Sequence, residues 1–145
     1  MTQQQLLDSL TRIAAPSLAS VDEYAAAMAM MIDQVDRTLL ARPDLQTLIG
    51  GGNTEMMRTN HRNHAEFMVA FSRVYDPPVL IGVVVWVLQT YQAHGFSIGY
   101  WPVQLEAWRS AVATSVTPRA VAEIDPIYRW LLDHLPDIAT LPPGG

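Results

Sequence analysis

Apolar positions recur at the 3.6-residue spacing of an amphipathic helix along most of the chain, and little is left that reads as strand. Thr2 with Gln5 has the capping-box pattern for a first helix from about Gln3 to Ile13, stopped before Pro16. Ser20 with Glu23 repeats that pattern and predicts a long second helix, whose inward stripe is Tyr24, Met28, Met31, Val35 and Leu39 and whose end is Arg42-Pro43. A short helical turn, PDLQTLI, then runs into Gly50-Gly51-Gly52, a corner too flexible to continue a helix. Asn53 or Thr54 caps the next helix, which continues through Tyr75. Asp76-Pro77-Pro78 is a further start, with Asp76 as cap and proline in the first turn. The segment VLIGVVVWVLQTYQAH contains a β-branched run, yet its length and its stop at Gly95 predict a buried helix and not a strand.

After the loop GFSIGYW, Pro102 leads a helix along Val103, Leu105, Trp108, Val112 and Val116. Thr117-Pro118 caps the last helix, which Pro126 is expected to kink and which closes near His134. The expected architecture is all-α: a single domain over residues 1–145 with about six to eight helices, an N-terminal helical extension at 1–19 and an extended C-terminal tail at 135–145.

Composition narrows the chemistry. The chain has no cysteine, which removes disulfides, thiolate metal sites, cysteine nucleophiles and thioether-linked cofactors. Nine arginines and no lysine stand against fourteen carboxylates, and the net charge of −5 argues against a nucleic-acid surface. The absence of lysine also removes a Schiff base or a phosphate-loop lysine. The opening residues lack signal-peptide character and the longest apolar run, Val79 to Leu88, is too short to span a bilayer, so a soluble, cytoplasmic protein is expected, with no membrane partner.

Candidate chemistry centres on histidines. In TNHRNHAEFMVAF, His61 and His64 are three residues apart and share a stripe with Met57, Met68, Phe71 and Tyr75, so both are expected to face inward or to line a cavity edge. No third or fourth metal ligand lies near them, and Glu66 does not complete a His-Glu-x-x-His motif. His61 is read as a rim residue that hydrogen-bonds locally or meets the polar end of a ligand. On the following helix Leu80, Val84, Val87, Tyr91 and His94 share a stripe. His94 either answers the negative helix end or serves as an axial ligand to a flat apolar cofactor. His134 reads as a helix-end residue, no serine sits in a nucleophile elbow, and no carboxylate pair stands out. Most of the aromatic residues clustered in the second half read as core, while Trp101 and Trp108, one heptad apart, lie on one face.

The segments HRNHAEFMVAF, DPPVLIGVVVWVLQTYQAH, YWPVQLEAW and TPRAVAEIDPIYRWLLDH, in this order, resemble the globin-like superfamily over roughly Ser20 to His134. Three branches are implied. In haem globins a late histidine on one helix binds iron and a residue on the preceding long helix faces the other side; His94 and His64, thirty residues apart, match those positions. Phycobiliproteins attach bilins through cysteine, so a phycocyanin-like arrangement here has no covalent bilin. Non-haem globin-like sensor domains, some of which bind fatty acids or other apolar ligands and dimerise through their last two helices, fit best the extra N-terminal segment and methionine-rich pocket.

The leading expectation is therefore a non-enzymatic small-ligand binding or sensing domain that requires no cofactor. Met57, His61, His64, Met68, Val84, Val87 and Tyr91 would line its apolar pocket, with a homodimer through the last two helices as output. The alternatives are a haem b globin for diatomic gases, with His94 proximal as the iron ligand and His64 distal, and a purely structural or interaction protein.

Overall fold

In a computed structural model describing residues 1–142, the helix-start signals open seven helices, and none of the described residues is in a strand. They are α1 (Gln3–Thr11), α2 (Leu18–Leu40), α3 (Leu45–Ile49), α4 (Thr54–Val74), α5 (Pro77–Ala93), α6 (Tyr100–Ser115) and α7 (Pro118–Ala139). The all-α reading holds, and no helix among the described residues is long and apolar enough to cross a membrane.

The caps show where local sequence is decisive and where it is not. At α1, Thr2 and Gln5 close the expected capping box, with both reciprocal hydrogen bonds formed. At α2 the cap is Ser17, not Ser20: Ser17 Oγ accepts from the Ser20 backbone N–H, and the helix starts three residues earlier than its pattern predicts. The reason is tertiary. Glu123 on α7 accepts from the Ser17 N–H at 2.6 Å, while Glu23 on α2 accepts from the Thr117 N–H at 2.9 Å, so each of these helices satisfies the other's N-terminus. The donated hydrogen bonds hold both carboxyls below the usual glutamate value.

The stop of α5 follows its sequence. Gly95 takes a positive φ of 102°, its N–H donates to the Gln92 carbonyl, and the Phe96 N–H reaches back to the Tyr91 carbonyl at 3.0 Å. This is a Schellman closure, and the Phe96 ring packs edge-on against Tyr91 at 5.0 Å, the apolar contact such a closure favours. Asn53 occupies the N-cap position of α4 without capping it; its side-chain amide donates instead to the Ile49 and His94 carbonyls, joining the two glycine corners.

The last helix departs from expectation. Helix α7 runs through Pro126 and Pro136 to Ala139, so the segment from Leu135 is not an extended tail up to that point; residues 143–145 of the expected tail lie outside those described. Proline in a helix interior forfeits a hydrogen bond at a cost of about 3 kcal/mol. Buried Ile127, Tyr128, Leu131, Leu135 and Ile138 offset it by packing into the core.

Helix α2 lies at the centre, packed on α4, α6 and α7. The N-terminal segment is integral to the fold: Leu6 and Leu10 are fully buried, and α1 packs on α5 and α7. Helix α5 leans on α1 and α7 and stands off from α4. That separation creates the cavity described next.

Candidate functional site

The space between α4 and α5 is a cavity of about 180 Å³, closed on its other sides by α6 and α7. Its α4 wall includes Asn60, His64 and Met68, and its α5 wall Leu80, Val84, Val87 and Tyr91. Trp101, Gln104 and Leu105 from α6, with Leu131 and Leu135 from α7, complete the lining. Helical periodicity explains the α5 wall, because Leu80, Val84, Val87 and Tyr91 repeat at intervals of three and four. Trp86, largely exposed, stands at the rim.

Five of the seven residues predicted to line a pocket are therefore brought together: His64, Met68, Val84, Val87 and Tyr91. Met57 and His61 lie on the same helix but are enclosed by the core and do not border the cavity. His94 is exposed. The helix ends one residue before it, and its Nδ1–H donates to the Thr90 carbonyl at 2.8 Å, the helix-end role. The stripe that carries Tyr91 into the cavity thus breaks before His94.

His61 is not at a rim; it is fully buried. Its Nδ1–H donates to the Asp36 carboxylate on α2 at 2.6 Å, and its Nε2 lies 3.0 Å from the Tyr100 hydroxyl on α6. Tyr100 donates its own proton to Asn60 Oδ1 at 2.8 Å. This network pins α2, α4 and α6 together. Burial, with the nearby Tyr91 and Asp36 oxygens, pushes the Tyr100 phenol well above its ordinary value, keeping it a neutral donor.

His64 belongs to a second network. Its Nε2 shares a 2.7 Å hydrogen bond with the Tyr128 hydroxyl, which in turn shares one of 2.8 Å with the Tyr24 hydroxyl. Its ring lies 4.7 Å from that of Trp108. Burial against these rings, reinforced by the neighbouring His61, pushes His64 down to about 3, so the imidazole is neutral near pH 7. Nδ1 has no hydrogen-bond partner among the described residues.

Gln104 escaped the sequence reading. A mid-helix glutamine usually reads as a solvated surface residue, but it falls between Trp101 and Trp108 at intervals of three and four, on their inward stripe. It is 1% exposed, and its Oε1 has no hydrogen-bond partner. Asn60 was missed for the same reason.

The residues present do not fit a haem held between His64 and His94. His94 does not border the cavity and is occupied at the helix end, and His64 is occupied by Tyr128. A cavity of about 180 Å³ is also small beside the roughly 300–1,000 Å³ of ordinary cofactor and drug-sized sites. No group of three or more His, Asp or Glu side chains among the described residues is arranged to hold a metal ion. The large exposed apolar side chains, among them Leu18, Met30, Val79 and Trp86, lie off α6 and α7, the helices expected to form a dimer contact. No family model, curated protein or solved structure matches this chain.

Proposed function

We propose that the chain is a non-enzymatic, globin-like domain that binds or senses a small apolar ligand in the cavity between α4 and α5 and signals through association. The observation that carries this reading is the cavity itself, a mainly apolar space of about 180 Å³, open at its Trp86 rim, into which the lining brings only a few polar groups. An engineered cavity of roughly 150 Å³ accepts benzene, so the volume suits a single ring or a short branched chain. The globin-like part of the proposal rests on the order of elements: a long helix, a short turn, a helix with inward histidines, a proline-started helix and two long C-terminal helices.

The wall chemistry supports binding over catalysis. A neutral His64 held near 3 is a weak general base near pH 7, and the other polar lining groups are amides, a phenol and two indoles. Occupancy would alter how α5 sits against the remaining helices, and with it the surface around Trp86.

Toluene titrated into methyl-labelled protein tests the proposal by NMR. The expected result is saturable shifts of the Met68, Val84, Val87 and Leu105 methyl signals, abolished by Val84→Phe in a protein that stays folded. An unchanged wild-type spectrum near the solubility limit of toluene would sink the reading. In a parallel arm, hemin should give the same visible spectrum with wild type and His94→Ala; a Soret band lost in the variant would restore the haem alternative.

A further inference from the structure

The tautomer of His64 follows from counting protons in its network. Tyr24, Tyr128 and His64 Nε2 form a chain of two hydrogen bonds, 2.8 and 2.7 Å long. Both tyrosines are buried, and neither hydroxyl has another partner among the described residues. If Nε2 carried the imidazole proton and donated it to Tyr128, one of the two phenolic protons would be left buried without an acceptor, which costs more than an ordinary hydrogen bond returns. Only one arrangement satisfies every proton: Tyr24 donates to Tyr128, Tyr128 donates to Nε2, and the imidazole proton sits on Nδ1.

That N–H is both free and reachable. His94 and His134 each turn Nδ1 back onto the carbonyl four residues earlier, whereas His64 Nδ1 makes no such bond. Among the described residues, the side-chain polar atoms that are both enclosed and unpartnered are Arg58 Nε, Gln104 Oε1 and Trp108 Nε1; His64 Nδ1 is unpartnered without being enclosed. His64 is only part-buried, its Nε2 is turned to Tyr128 on α7 and a ring face is set against Trp108 on α6. The edge left accessible is the one with which it borders the cavity.

The rest of the inner lining offers donors and withholds acceptors. Asn60 Oδ1 is taken by the Tyr100 proton, so Asn60 turns its amide N–H groups to the Tyr91 phenol, whose own proton has no acceptor among the described residues. Gln104 Oε1 is enclosed out of reach. No arginine, aspartate or glutamate borders the cavity, and protonating His64 would displace the Tyr128 proton from Nε2. A carboxylate or ammonium head would therefore be buried without a counter-charge, a far larger cost than burying a neutral acceptor that finds a donor.

We infer that the cavity selects a small, uncharged, mainly apolar molecule bearing a carbonyl-class head, whose oxygen accepts from His64 Nδ1–H. This rests on the binding reading proposed above and adds the class of ligand. A carbonyl oxygen accepts without bringing a proton of its own, which a lining of donors would leave unpartnered. His64 is then the specificity-determining residue, and fatty-acid carboxylates, which the resemblance to sensor domains would admit, do not suit the uncharged lining.

Cyclohexanone and methylenecyclohexane test the inference because they share a ring and a shape and differ by an exocyclic oxygen in place of a methylene; cyclohexanecarboxylate adds the charged case. Without ligand, long-range nitrogen–proton correlation NMR should show His64 protonated at Nδ1 and bare at Nε2. Both neutral probes should then shift the cavity methyl signals, and only cyclohexanone should shift the His64 Nδ1 signal. His64→Met, which removes the donor, should weaken cyclohexanone about five- to tenfold and change methylenecyclohexane by less than about twofold. With methylenecyclohexane bound, an Nε2–H tautomer, a silent Nδ1 signal or an unaltered ketone affinity in the variant overturns the ligand class and leaves the binding reading standing. Cyclohexanecarboxylate binding as tightly as cyclohexanone also overturns it. Failure of both neutral probes overturns the binding reading itself. If His64→Met does not fold, the wild-type nitrogen signals decide the question without the variant.

Discussion

The two walls of the cavity are built in opposite ways. Helix α4 is tied to its neighbours by directional bonds: His61 to Asp36 and Tyr100, Asn60 to Tyr100, and His64 to Tyr128. Helix α5 is held mainly by the apolar packing of Leu80, Ile81, Val85 and Leu88, with the Tyr91 phenol beside Asn60 of α4 as its polar contact. Hydrogen bonds fix a position and an angle, whereas apolar contact is non-directional and tolerates sliding. A rigid wall and a compliant wall around one cavity let a ligand move the second against the first. The difference locates any response to occupancy in α5.

The contrast is broken most severely at His61. Replacing it with alanine empties a packed site and leaves the Asp36 carboxylate without its partner, and should lower the unfolding free energy by about 3 kcal/mol in urea titrations. A loss below about 1 kcal/mol would mean that α4 is not held by this network.

Leu80→Ala probes the other wall. Leu80 is 1% exposed but borders a cavity that already exists, so its removal forfeits fewer contacts than in a filled core. The expected cost is about 2 kcal/mol, at the low end for a buried leucine. Toluene should recover part of it, since binding to the folded state alone stabilises that state. In the same protein, hydrogen exchange should report faster opening of α5 than of α4.

A smaller and pH-dependent effect belongs to His64. The unfolded histidine takes up a proton below about 6.5, whereas the folded one does so only near 3. The unfolded state thus binds more protons across that interval, and this contribution to stability, complete above about 6.5, is lost as the pH falls toward 3. Denaturation midpoints between about pH 6.5 and 5 lie above the range where Glu23 and Glu123 titrate, and they should fall less steeply in His64→Gln than in wild type. An identical slope would remove His64 from the acid response.

The smallest change is at Gly82 inside α5. A β-carbon there meets nothing within 4 Å, so Gly82→Ala should stabilise by about 0.5–1 kcal/mol through helix propensity and leave ligand affinity unchanged. A shift in toluene affinity would show that α5 flexibility itself contributes to binding.

How much of this was legible in the chain varies residue by residue. The Thr2–Gln5 cap, the Pro77 start and the Gly95 stop involve partners within a few positions, and all three stand where their spacing predicts. The stripe Leu80, Val84, Val87 and Tyr91 was likewise readable, because a helical period carries each side chain to the same face. Gln104 left a fainter trace as a polar residue on a stripe of tryptophans. The start of α2 was misread because the competing Ser17 cap draws on Glu123, which lies 106 positions away. His94 was misplaced because a regular period was extended past the point where the helix stops.

By itself, then, the sequence determined which segments are helical, which faces are apolar, and that cysteine- and lysine-dependent chemistry is absent, since these depend on local geometry and residue identity. Only the tertiary structure decided the partners of His61 and His64, the standing-off of α5 from α4, and the enclosure of Gln104. Period and propensity act along the chain; the residues that close a cavity meet across it, and their meeting is set by how the helices pack.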